Sequence, residues 1–226
     1  MAVSPSCINS KLYADNGTLF ISYERVQLLD ANGKPIKASS LKKETNYVFN
    51  YPFVSTPVIL LDLDEPTLKD VKLKSEDGEE YIWKGGVGSK GTIVAYVAIC
   101  SHQLAHPTPE DSFLQYCQKD KKTMSYKEGG VMVCSSHLSA FDVKSGCKNL
   151  SGPAEEPLAS VILEIDKDDT IWASAVLGPD KFHEYFKAFK PELKKFYGGK
   201  RKGKKKIKNS ATLLPLTEYT KEIVQY

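Results

Sequence analysis

Long apolar runs are missing from this 226-residue sequence. No stretch approaches the roughly 18 to 20 consecutive apolar residues that a membrane-crossing helix needs. The N-terminus, MAVSPSCINS, has neither the basic start nor the apolar segment of a secretory signal. The chain as it stands is expected to be soluble, with an anchor upstream of Met1 left open. No internal repeat is visible, which argues against a repeat array. No aromatic residues interleave the basic ones in a nucleic-acid module, so no nucleic-acid partner is expected. Histidine, cysteine, methionine and tryptophan are all scarce, at four, five, three and two residues. Where the few His and Cys fall is therefore informative.

What is abundant points to a folded β protein. Hydrophobic residues make up 41% of the chain, ample for a packed core. Twelve Tyr and nine Phe, with many Val, Ile and Thr, favour sheet. The length suits one large domain, or one domain with a sizeable insertion. The net charge of +3 hides an uneven distribution: seven Lys or Arg lie between residues 200 and 208, and the remaining 24 basic residues are outnumbered by 28 acidic ones. Such a run can bind anionic lipid or nucleic acid, but it reads here as a solvated connector.

Strands are expected at residues 18–26 (TLFISYERV), twice within 47–63 with a join near Ser55–Pro57, at 81–84 after an Asp77-Gly78 turn, and at 92–100 (TIVAYVAIC). The last is nearly continuous in apolar character, which implies burial on both faces. From His102 to Val131 the chain is polar and lacks a clear period, with a breaker cluster at His106-Pro107-Thr108-Pro109. A short strand at 130–134 then leads into a Ser- and Gly-rich stretch, and two more strands follow at 158–166 and 170–177. Residues 180–190 (DKFHEYFKAFK) place Phe182, Tyr185, Phe186 and Phe189 at helical spacing, with Asp180 as N-cap and Pro191 as a break or restart. The tail at 211–226 is a candidate docking strand.

Two short sequences carry the chemistry. Cys100-Ser101-His102 and Cys134-Ser135-Ser136-His137 each sit where an apolar strand runs into a loop. Each contributes one thiol and one imidazole. A zinc site can use two Cys and two His, but zinc-finger spacing groups Cys with Cys and His with His. One ligand of each kind per loop suits a two-iron cluster, with both thiolates on one iron and both imidazoles on the other.

These pairs, Cys-x-His and Cys-x-x-His, resemble the two boxes of the Rieske iron–sulfur family, with the closest likeness to archaeal respiratory and sulredoxin-like members. The resemblance is strongest from about Thr92 to Leu177. It implies a [2Fe–2S] cluster with Cys100 and Cys134 on the inner iron and His102 and His137 on the outer one. Ser151-Gly152-Pro153-Ala154 is similar to the family's cluster-covering proline loop, so Gly152, Pro153 and Ala154 are expected over the site. Ser139 matches a serine whose hydroxyl tunes the cluster, and Phe141 falls where the respiratory branch often has tyrosine. A potential below that of typical respiratory members is the consequence. The inter-box disulfide usual in the respiratory branch, and absent from ferredoxins that serve oxygenases, is excluded because its positions correspond to Ala105 and Ser136. Cys117 and Cys147 could pair instead to tie the intervening segment to the cluster lobe, leaving Cys7 over. His106 reads as a loop residue and His183 as structural or solvated.

The implied fold is mainly β: an antiparallel β-sandwich or barrel base with an inserted cluster-binding subdomain, a short C-terminal helix and a tail. Its parts are the base at 1–94, the cluster subdomain at 95–157 with an insertion at about 106–129, the closing strands at 158–178, and the helix, basic run and tail at 179–226. The implied activity is one-electron transfer, from quinol or a quinol-oxidising membrane complex to a cytochrome or terminal oxidase. A carrier of this kind is not a catalyst alone, but could be a subunit of an oxidoreductase. The implied location is the outer face of the cytoplasmic membrane, and a monomer is favoured. Two alternatives stand beside this reading: a cytoplasmic Rieske ferredoxin serving an oxygenase, and a zinc-stabilised binding module.

Overall fold

A strand that is apolar on both faces needs a core on each side of its sheet, and the computed structural model, which describes residues 13–225, has two. The strands among the described residues are β1 (Phe20–Leu29), β2 (Tyr47–Asn50), β3 (Pro57–Asp62), β4 (Val71–Lys74), β5 (Glu80–Trp83), β6 (Ile93–Val97), β7 (Asp111–Ser112) and β8 (Leu114–Cys117). They continue as β9 (Val131–Cys134), β10 (Ser139–Asp142), β11 (Lys148–Ser151), β12 (Ser160–Ile165), β13 (Ile171–Leu177), β14 (Ser210–Thr212), β15 (Leu214–Pro215) and β16 (Glu222–Ile223).

Eight of them form one sheet in the order β14-β1-β13-β12-β6-β3-β2-β15. All its pairings are antiparallel except β14 on β1. Its two edge strands are consecutive in the chain, separated only by Leu213. One tail segment therefore lies along both edges and nearly closes the sheet into a barrel. Leu213 N–H donates to Leu29 O at 2.8 Å, and Leu216 N–H to Asn46 O at 2.8 Å. The tail thus docks as strand, covering edges that would otherwise stay unpaired.

Period-two alternation sorts the side chains between the cores. Ile93, Ala95 and Val97 of β6 join the first core, while Val94 and Tyr96 join the second. The first core is completed by helix α1 (Phe182–Ala188), whose Phe182, Tyr185 and Phe186 are fully buried, and by Leu193 of α2 (Lys190–Tyr197). Burial of each such side chain stabilises the fold by about 2 kcal/mol. The N-cap position falls on Lys181, one residue after the expected Asp180, although the Asp180 carboxylate accepts from His183 N–H at 3.2 Å; Pro191 lies in the first turn of the second helix.

The seven basic side chains of residues 200–208 are exposed, as in the solvated connector expected, yet the segment itself is folded. It forms the turn α3 (Lys200–Gly203), in which Gly203 is buried against Leu193 and Ser55. Its backbone is bound down, with Ser55 N–H donating to Gly203 O and Ile207 N–H to Pro52 O. A last short helix, α4 (Leu216–Tyr219), follows β15.

A second sheet, in the order β11-β10-β9-β8, is built wholly between residues 114 and 151. Tyr96 Oη donates to Val143 O at 2.7 Å, and Asn46 exchanges two hydrogen bonds with the Tyr116 backbone, joining the two sheets. Strands β8, β10 and β11 fall in stretches that read as aperiodic. Each is four residues long, and buried Gln115 breaks the apolar pattern of β8, its side-chain oxygen accepting from Gln225 Nε2 at 2.8 Å.

Candidate metal centre

The first box leaves β6 and turns back on itself. Cys100 N–H donates to Ala105 O at 2.8 Å, and Leu104 N–H to Cys100 O at 3.0 Å, with Leu104 in the left-handed region at φ 62°. The second box is a hairpin turn: Cys134 ends β9, Ser139 opens β10 directly opposite it, and residues 135–138 join them. Ser135 N–H donates to Phe113 O at 2.7 Å, pinning that turn from behind. Both thiols are buried in the second core, whereas His102 is half-buried and His137 is exposed. The donor set is thus graded from interior to surface.

The four donors meet in like pairs. Cys134 donates its thiol hydrogen bond to Cys100, which lowers the Cys100 pKa and raises that of Cys134; burial pushes the latter further up. The backbone N–H groups of His102 and Gln103 point at the Cys100 sulfur, and those of Ser136 and His137 at Cys134. The imidazoles of His102 and His137 stand edge to face, with ring centroids 4.8 Å apart. Nδ1 of His102 is buried without a hydrogen-bond partner, which marks it as a donor awaiting a ligand. Among the described residues no three or more His, Cys, Asp or Glu side chains converge as one metal ion would require. A two-iron cluster requires two thiols at one end and two imidazoles at the other, two protein donors per iron. The residues present fit that group better than a single zinc ion.

Around the boxes lies a frame that the sequence did not suggest. Ser101 Oγ donates to Glu156 O at 2.7 Å. The carboxylate of Glu156 is buried, pairs with Lys181 Nζ at 2.9 Å and accepts from Glu76 N–H at 3.0 Å. Burial alone would depress Lys181, but the hydrogen bond and charge of Glu156, with Glu184 and Glu76, leave its pKa raised. His106 is a buried loop residue. Its Nδ1 donates to Leu104 O at 2.5 Å and its Nε2 is bonded to Glu192 Oε1 at 2.8 Å, an oxygen that also accepts from Tyr185 Oη. A Glu pair flanked by Pro153 and Pro157 was the one available signal for this frame.

Gly152 and Pro153 are exposed and Ala154 is buried, its N–H donating to Ser139 Oγ at 3.3 Å. Gly152 adopts φ 83°, and a Cβ there would lie 2.5 Å from Leu138 O, so the loop sits directly on the second box. Phe141 is fully buried in the core that holds both thiols. The expected Cys117–Cys147 disulfide is not formed. Both are free: Cys117 is half-exposed at the end of β8, and Cys147 is sealed in the second core. Cys7 lies outside the described residues. His183 packs against Phe53 and Phe182 and contacts Asp180, a structural placement.

A cavity of about 290 Å³ opens beside His137. A larger one, about 420 Å³, lies behind β8 near Cys117 and touches neither imidazole.

Residues 61–162, which include both boxes and the loop at 151–154, match the family described as the Rieske [2Fe–2S] domain. Over 142 residues the chain is 30% identical to the iodate reductase subunit IdrB of Denitromonas iodatirespirans, covering 63% of this chain and 60% of that protein. The chain thus spans under two thirds of that relative's length. Among solved structures it is similar to the soluble domain of the Rieske protein II (soxF) from Sulfolobus acidocaldarius, at 26% identity and TM-score 0.46, covering 68% of this chain and 78% of that one.

Proposed function

We propose that this chain, whose residues 61–162 match the Rieske [2Fe–2S] domain family, is an electron carrier with such a cluster, that Cys100, His102, Cys134 and His137 hold it, and that it takes electrons from quinol. The acceptor in this reading is a cytochrome or terminal oxidase. The observation that carries it is the graded pairing of donors, thiols together inside and imidazoles together at the surface.

When bound, a cluster with two imidazole ligands takes up and releases one electron at roughly −150 to +300 mV. The chain's own groups do the rest. Backbone N–H groups at both sulfurs stabilise negative charge there. The second core excludes water from the inner end. With Nδ1 of His102 turned inward, Nε2 is the ring atom left to carry a proton, and the exposed ring of His137 offers a second such atom to the donor. Quinol gives up a proton with each electron, so an exposed imidazole at the electron's entry point is the feature it needs.

Among the described residues no helix is long and apolar enough to cross a membrane. We place the domain at the outer face of the cytoplasmic membrane, beside a quinol-oxidising complex. A second reading rests on the relative named as an iodate reductase subunit: this chain would then pass electrons directly to a catalytic partner subunit. Anaerobic titration of the loaded protein, with reduction by a water-soluble quinol followed in the same cell, separates the readings. Rapid reduction by quinol supports the first. A potential below about −150 mV, the lower bound of imidazole-ligated clusters, or no reduction by quinol, would overturn it.

A further inference from the structure

Eleven Lys or Arg and a single acid, Glu192, lie between residues 187 and 208. The segment is ordered. Leu193 and Gly203 are buried, the backbone is tied to residues 52–55, and the charged ends are held outward on short helices. Among the described residues only Lys195 of this group makes an ion pair, with Glu110. Lys204 and Lys206 lie over the rings of Phe186 and Tyr23, and the other basic side chains have no acidic partner. Such an array sets up a strong positive potential on one face of a molecule that is otherwise acidic.

That face adjoins the exposed end of the candidate centre. Helix α2 is tied to the first box by Glu192 on His106, and to the loop beyond it by Lys195 on Glu110. The cavity beside His137 has Ser136 and His137 on one wall and Phe189 and Glu192 on the other. A partner resting on the helices therefore covers the exposed edge through which electrons are exchanged. No large apolar side chain of 187–208 is exposed; those exposed among the described residues are Ile21, Leu68, Met124 and Leu150. A surface that binds anionic bilayers ordinarily adds apolar groups that insert. The large apolar side chains here, Phe189, Phe196, Tyr197 and Ile207, are all partly covered, and the contact of Phe189 with the cavity beside His137 favours an electron-transfer protein.

We propose that residues 187–208 form the docking surface for an acidic electron-transfer protein, which they seat over His137. The inference rests on the reading of the chain as an electron carrier. Charge-steered docking gives fast encounter and a small, short-lived interface, as repeated one-electron exchange requires.

The test uses the loaded full chain and two probes of opposite charge, a basic cytochrome c and its succinylated, acidic derivative, with binding measured by titration calorimetry. The acidic form is expected to bind at low salt and to weaken about tenfold or more in several hundred millimolar salt. Joint reversal of Lys194→Glu, Lys200→Glu, Arg201→Glu and Lys205→Glu is expected to switch the preference to the basic form. Lys72→Glu, exposed on the β4–β5 hairpin and outside residues 187–208, is expected to leave it unchanged. An unaltered preference after the four reversals overturns the proposal. So does tighter, reversal-sensitive binding to phosphatidylglycerol vesicles than to the acidic protein. Electron transfer to a small neutral oxidant is read separately: its absence removes the carrier reading, whereas its presence with no charge preference removes only the docking surface.

Discussion

The two boxes offer the same donors and are held in opposite ways. The first is fastened by side chains from distant parts of the chain: Ser101 to Glu156, Glu156 to Lys181, and His106 to Glu192. Its histidine is half-buried. The second is a hairpin turn fixed by its own β9–β10 ladder, with Ser136 and His137 exposed and Gly152 pressed on its base. The first loop thus relies mainly on side-chain tethers from distant residues, the second mainly on backbone pairing with its neighbouring strands. Distant substitutions should therefore reach box 1, while box 2 should respond only to what touches its turn.

The largest effect tests whether the boxes are equal in role despite this. Cys100→Ser and Cys134→Ser are each expected to abolish cluster binding, read as loss of iron and of visible absorption. Full iron in either variant would break the equivalence and the ligand assignment with it. Next, Gly152→Ala aims at box 2 alone. Its Cβ would meet Leu138 O at 2.5 Å and Ser139 Cα at 2.6 Å, from a backbone at φ 83°. A loss of about 3 kcal/mol is expected in denaturant unfolding, with faster loss of iron.

Lys181→Met aims at the frame of box 1, leaving Glu156 buried without its cation. The expected cost is about 2 kcal/mol, reduced from the fully buried case because Lys181 keeps some contact with water. The pH dependence has a definite sign. The Lys181 pKa is raised in the folded state, so its contribution is complete below the unfolded value of about 10.4 and is lost as pH rises through the folded one. Wild-type stability should decline in that alkaline window, and the variant should lack that part of the decline. A smaller effect, about 1 kcal/mol, is expected for Glu192→Gln, which weakens the bond to His106 Nε2. Amide exchange should quicken around Leu104 and His106 and stay unchanged at 135–138. Equal quickening at both loops would contradict the separation of tethers.

This difference also explains what was legible beforehand. The donor pairs stood out because metal chemistry admits few residue types, and because β6 and β9 deliver them from runs of apolar residues. Strands β6, β12 and β13 were legible for the same reason. Strands β8, β10 and β11 were not: their pairing partners, not their own residues, make them strands, and buried Gln115 contradicts the apolar pattern. The box 1 tethers span 25 to 86 residues in sequence, where no local pattern can reveal them. The mistaken Cys117–Cys147 pairing came from counting thiols. Cys147 has the left-handed φ of 58° and a place in the second core, while Cys117 packs with the small cluster of Val131, Val133 and Ala140.

The smallest expected effect sharpens the comparison most, because it leaves both boxes intact. Phe141 lies on β10 opposite Met132, two residues beyond Ser139, and is fully buried in the core that holds both sulfurs. A Phe141→Tyr hydroxyl would have no water to satisfy it, so the sulfur of a box thiolate is the acceptor it should seek. A hydrogen bond there stabilises the reduced, more negative state, and one net bond of about 0.5 to 1.5 kcal/mol corresponds to a rise of roughly 20 to 60 mV for a one-electron couple. Redox titration at fixed pH measures it. Because Ser139 and position 141 both project from the strand that supports box 2, a rise in Phe141→Tyr and a fall in Ser139→Ala would assign tuning of the potential to that strand. The tethers of box 1 would then serve position alone, and Glu192→Gln should leave the potential where it was. A potential that moves with Glu192 and not with residue 141 would reverse the two roles.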